Sequence, residues 1–178
     1  MPELKPTGLL LTLVATLAFG LGAAAPGTRR AHQPIVLHGY PYASRCPAAG
    51  YDDAVDRWGM YVCNCTSYVA WALRANAQRT SWFIRGAMNA WNWPHVARLK
   101  HIPVGTRPRV GSVAVWPQLS PPFGHVAYVS GVEDDGGIDV GEYNLPEAAA
   151  GAPYVFDVRH DVRPNGAVFI YVPARRAK

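Results

Sequence analysis

The apolar residues of this chain change their spacing part-way along, and that change limits the possible folds more than any other feature. Up to about residue 100 they recur as on a helix. Positions 65, 69, 72 and 73 share one face of Cys65-Thr66-Ser67-Tyr68-Val69-Ala70-Trp71-Ala72-Leu73-Arg74, and Asn64 stands where its side chain can accept from the free amides of a first turn. A second helical stretch lies near Ala87 to Arg98, interrupted or restarted at Pro94. Beyond it the spacing becomes two. Residues 111–116, 125–129, 137–142 and 166–172 read as strands, and Glu133-Asp134-Asp135-Gly136-Gly137 reads as a hairpin turn. Helices first and an antiparallel sheet after them predict a single α+β domain.

What precedes that domain speaks of its compartment. From Gly8 to Ala25 no side chain is charged, Lys5 stands before the run, and Ala23-Ala24-Ala25 ends it, so residues 1–25 are expected to be a secretory signal peptide. The run is also just long enough to be a retained membrane anchor, but its small residues favour cleavage, and no stable anchor is expected. Residues 26–45, rich in Pro, Gly and Ala, are expected to form an extended arm. About 150 residues would then remain, enough for one core. Apolar residues at 49% and charged residues at 16% exclude a disordered chain. On either reading of the leader the domain lies outside the cytoplasm.

The net charge of +5 is unevenly spread. Eight basic residues and no acid lie between Arg57 and Val132, whereas Glu133 to Asp161 holds eight acids and one Arg. A cationic stretch favours anionic polymers. Outside the cytoplasm that means wall polymer or anionic lipid before nucleic acid. Ordinary solvated surface is the alternative.

Four residues could carry chemistry. Cys65 falls in the first turn of a helix, where free amides and the dipole stabilise an anion, and thiolate is the nucleophilic form of cysteine. His125 begins a strand after Pro121-Pro122-Phe123-Gly124, a rigid position from which a base could serve the thiol. If positions 125 and 142 face each other across the hairpin, Glu142 can hold the far side of the imidazole, as can Asn144 two residues on with the same parity. The plainer alternatives are a small buried Cys, a structural His, a surface carboxylate and a turn-forming Asn. Asp52, Asp53 and Asp56 form no recognisable ligand loop for calcium. His32, His38, His95, His101 and His160 show no zinc-ligand spacing with cysteine, so no metal and no cofactor is expected. Trp82, Trp91, Trp93 and Trp116 are expected in the core, with one or two available to line a glycan or peptide cleft.

These same residues carry a family resemblance. Asp56-Arg57-Trp58-Gly59-Met60-Tyr61, Cys65-Thr66-Ser67-Tyr68-Val69-Ala70-Trp71, Asn89-Ala90, Gly124-His125-Val126-Ala127 and Glu142-Tyr143-Asn144 together resemble the CHAP domain (cysteine, histidine-dependent amidohydrolases and peptidases that cut peptidoglycan). The match runs in order from about Tyr40 to Pro173, implying a catalytic domain over 46–173 and a basic tail over 174–178. It implies a papain-like fold of the NlpC/P60 type, with Cys65 as nucleophile, His125 as base, and Glu142 with Asn144 as the orienting pair. The family often has Gln directly before the nucleophile, where this chain has Cys63-Asn64. That change leaves the Cys65 backbone amide as the natural oxyanion donor.

The chain has three cysteines, so at least one thiol cannot pair within it. If Cys65 must stay free, as the resemblance implies, Cys46 and Cys63 can form a disulfide. Pairing of either with Cys65 is the alternative, giving an inactive or redox-controlled form. The expected protein is thus a secreted, monomeric peptidoglycan hydrolase, an amidase or a peptide-bridge endopeptidase. The competing expectations are a non-catalytic wall-binding module using the basic, Trp-rich face, and the related NlpC/P60 type of cysteine peptidase.

Overall fold

A computed structural model describes residues 34–46, 52–145 and 155–176. The expected signal peptide and the first part of the expected arm, residues 26–33, lie outside the described residues.

The first long helix, α1, spans Cys65–Ala75. Asn64 caps it with extended backbone, its side chain accepting from the Cys65 amide at 2.7 Å. The second helical stretch is shorter than its sequence suggests. One 3-10 turn covers Ala90–Asn92, and α2 covers Trp93–Leu99, with Pro94 in its first turn where a missing N–H costs nothing. Residues 87–89 lie outside it.

Among the described residues six strands form one antiparallel sheet: β1 (Val104–Gly105), β2 (Val113–Trp116), β3 (His125–Val132), β4 (Ile138–Tyr143), β5 (Phe156–Val162) and β6 (Val168–Ile170). Their spatial order is β1-β6-β2-β3-β4-β5, which sets β1 and β5 at the edges. The fold is therefore α+β, as expected. Two of the strands were not anticipated. β1 has only two residues, too few to display a period. β5 does alternate, with Phe156, Val158 and Val162 against Asp157, Arg159 and Asp161, but charges at every second position mask it.

The two faces of the sheet bury different clusters. Val113, Val115, Val126, Tyr128 and Tyr143 join Tyr68, Val69, Ala72 and Leu73 of α1, together with Trp82 and Trp93. The opposite face carries Ala114, Trp116, Ala127, Val129, Ile138, Val140 and Phe169. Tyr40, ahead of the helices, is 6% exposed and packs in the first cluster.

The β3–β4 hairpin turns where expected. Glu133 N–H donates to Gly137 O, and Gly136 takes a φ of +88°, which favours glycine. Its register differs from the expected one. Tyr128 pairs with Gly141 and Val129 with Val140, and a bulge follows between Val129 and Gly131. Carried along the strands, this sets Ala127 rather than His125 opposite Glu142. A slip of two positions preserves the face, so His125 and Glu142 remain on the same side as diagonal neighbours.

Candidate active site

Cys65 is the first residue of α1 and is 5% exposed. It is the free thiol, because Cys46 and Cys63 form a disulfide with Cα atoms 5.4 Å apart. The turn before the helix is held from below. Tyr40 Oη accepts from the Cys63 amide at 3.0 Å and shares a 2.7 Å hydrogen bond with Ser67 Oγ. Burial outweighs these bonds and pushes the Tyr40 phenol up to about 12. The expected oxyanion donor is not idle: the Cys65 N–H already donates to Asn64 Oδ1.

His125 opens β3 across from Trp116. A close approach fixes its entry: a Cβ on Gly124 would fall 2.6 Å from the Trp91 nitrogen, and Trp91 N–H donates to Phe123 O at 3.1 Å. The imidazole is 1% exposed, and its Nε2 lies 2.8 Å from Glu142 Oε2. That leaves Nδ1 for Cys65. Burial opposes charge on the ring, but the adjacent Cys65, by charge and hydrogen bond, and then Glu142 more than offset it, raising the His125 pKa to about 9.

Glu142 is fully buried, which alone would raise its pKa, yet hydrogen bonds from His125 and Arg159 hold it below the usual carboxylate range. Arg159 was missed by sequence reasoning. It stands on β5 opposite Val140, donating from Nε to Glu142 Oε1 and from Nη2 to Oε2. The three side chains 125, 142 and 159 thus form a diagonal across β3, β4 and β5. Recognising β5 in the sequence would have found the third.

Asn144 follows β4 with a φ of +57° and lines the cleft beside Cys65 and His125. Its backbone N–H donates to Val155 O, but its Oδ1 is buried without a hydrogen-bond partner among the described residues. Glu142, and not Asn144, meets the His125 ring.

The cleft over Cys65 encloses about 560 Å³. Val55 and Phe123 on its walls are 55% and 58% exposed, so it offers apolar surface to a ligand. Of the tryptophans, Trp82, Trp93 and Trp116 are buried; Trp91 is exposed next to the Phe123 wall. Two of the three early acids act locally. Asp52 pairs with Arg45, and Asp56 Oδ1 accepts from the Trp58 and Met60 amides, closing a turn. No group of three ligands able to hold a metal ion occurs among the described residues. His160 pairs with Asp139, and His38 packs edge-on against Phe156. No helix among the described residues is long and apolar enough to cross a membrane.

The family model of the CHAP domain matches residues 55–144. No curated protein matches the chain. Among solved structures it is similar to an N-acetylmuramoyl-L-alanine amidase from Staphylococcus aureus, with a TM-score of 0.54 and 19% identity over 68% of this chain and 34% of that one. A second similar structure is that of Ly7917, with a TM-score of 0.44 and 15% identity over 72% of this chain and 57% of that one. The chain spans about a third of the length of the first and just over half of the second. The likeness to the amidase is one of fold.

Proposed function

The chain belongs to the CHAP domain family, and on that footing we propose that it is an extracytoplasmic cysteine hydrolase that cuts amide bonds of peptidoglycan. The observation that carries this reading is the buried His125–Glu142 hydrogen bond of 2.8 Å in a ring that shares a cleft with the free thiol at the start of α1. In the proposed cycle His125 Nδ1 holds the Cys65 proton, and the thiolate attacks an amide carbonyl. His125 then returns the proton to the leaving amine, and water hydrolyses the thioester. Glu142 fixes the ring and stabilises it while charged. The developing oxyanion would compete with Asn64 Oδ1 for the Cys65 N–H. The Cys46–Cys63 disulfide supports an oxidising compartment and a signal peptide ahead of the domain. We read the fold as papain-like, a reading that the helices ahead of one antiparallel sheet support.

We also propose that anionic wall polymer is a partner, at the end of the sheet formed by β1 and β6. Arg79 donates to the Lys100 carbonyl, Arg175 N–H donates to Ala77 O beside it, and Arg109 lies over the Tyr171 ring. None of these cations pairs with an acid among the described residues.

Mass analysis of soluble fragments released from purified peptidoglycan tests the main reading. Wild type is expected to release fragments, whose new ends identify an amidase or an endopeptidase. Cys65→Ala is expected to release none; equal release by that variant would sink the assignment.

A further inference from the structure

Glu142 is an expensive place for a charge. It is 0% exposed, and a buried carboxylate without cationic partners takes up a proton instead. The titratable and charged groups around it are few. His125 approaches from β3 with Cys65 of α1 behind it, and Tyr68 of α1 feels the Glu142 charge. From β5 come Asp157, directly opposite in register, and Arg159. Among the described residues only His125 and Arg159 are hydrogen-bonded to the carboxylate.

These two cations are not equivalent. The proposed cycle requires His125 to lose its proton once per turnover, when Glu142 would become an unpaired buried anion. The Arg159 guanidinium keeps its charge throughout and meets both carboxylate oxygens with a fork of donors. With it, Cys65, His125, Glu142 and Arg159 carry a net charge of zero both as thiol and neutral ring and as thiolate and imidazolium. We infer that Arg159 is a positioning residue of the hydrolytic site: a permanent counter-charge that keeps Glu142 ionised and its Oε2 aimed at His125 whichever way the proton lies. The inference rests on the cysteine mechanism proposed above.

Its test needs no peptidoglycan. Cys65 is the one cysteine outside the disulfide, so its alkylation by iodoacetamide can be followed against pH. In Arg159→Gln the carboxylate should take up its proton earlier, weakening the imidazolium and with it the thiolate. The acid limb of the alkylation rate is expected to move up by about one pH unit, or about tenfold in rate within that limb. Arg159→Lys keeps the charge but not the fork, and is expected to fall between the two. In a Glu142→Gln background the same Arg159→Gln change is expected to alter the rate less than about twofold, since the two act as a unit. An Arg159→Gln profile that coincides with wild type would overturn the inference, as would an equal shift in the Glu142→Gln background. Should Arg159→Gln fail to fold by circular dichroism, the wild type answers instead. Its Glu142 carboxyl carbon resonance is expected to titrate below an ordinary glutamate, and protonation above the ordinary glutamate range overturns the inference. Wild type that alkylates as expected but releases nothing from peptidoglycan would remove the proposed substrate and leave the role of Arg159 standing.

Discussion

At its first residue α1 presents Cys65 to an open cleft, two residues after a disulfide cysteine held at a φ of +61°. At its other end two carboxamides close the backbone. Asn76 exchanges hydrogen bonds with Val36 and also donates to Ala72 O, while Gln78 donates to Gly111 O and Val172 O and accepts from Tyr128 Oη. The polar atoms of both carboxamides are matched within the protein. At the cleft end Asn144 Oδ1 has no hydrogen-bond partner among the described residues. The two carboxamides at the far end are fully bonded, whereas the carboxamide oxygen of Asn144 at the cleft is left for a ligand.

This contrast can be broken from either side. The largest effect expected is that of Cys65→Ala, a loss on the order of 10⁴-fold or more in peptidoglycan cleavage with an unchanged melting temperature. A variant that melts early instead would make Cys65 structural. Glu142→Gln should cost less, roughly 10²–10⁴-fold in kcat/KM, because it removes orientation and not the nucleophile; a steady-state comparison with wild type measures it.

The pH profile sharpens the same side. His125 is raised from 6.5 to about 9, so kcat/KM is expected to fall on the alkaline side as the ring loses, near pH 9, the proton needed by the leaving amine. The sign for stability is the same. The folded ring holds its proton more tightly than the unfolded one, so its contribution is complete below about 6.5 and disappears as the pH rises to about 9. Denaturant midpoints across that window would check it, and an alkaline limb near 6.5 would separate His125 from Cys65 and Glu142.

Smaller effects belong to support. Replacing both Cys46 and Cys63 by Ser opens a loop with a sequence separation of 17 and should cost about 3 kcal/mol of stability in urea unfolding. Cleavage by the folded fraction should persist. Gln78→Ala at the far end removes three hydrogen bonds, and about 1–3 kcal/mol of stability should go with them while kcat stays level. A collapse of kcat in Gln78→Ala would erase the distinction between the two ends.

Much of this was legible in the residues, and the failures have physical causes. Asn64 and the apolar stripe marked α1, and unbroken alternation marked β2, β3, β4 and β6. Parity put Glu142 on the His125 face even though the observed register lies two positions from the expected one. The exact register has no signature in a list of residues, whereas a displacement by an even number of positions keeps every side chain on its face. β5 escaped because Asp157, Arg159 and Asp161 interrupt its apolar pattern, and the second cation on Glu142 escaped with it. The disulfide followed from the family resemblance and not from spacing.

Tyr40 has a consequence for the order of assembly. Its hydroxyl joins Ser67 and Cys63, 27 and 23 residues away, and its ring also meets Tyr143. A helix turn or a hairpin closes a short loop and forms early, whereas a contact that needs the arm, the disulfide turn, the helix and β4 together closes long loops and forms late. Pulse-labelled hydrogen exchange should therefore find the Cys63 amide, which donates to Tyr40, protected after the amides of the β3–β4 hairpin. The reactive pair would then come together only in a molecule already nearly built.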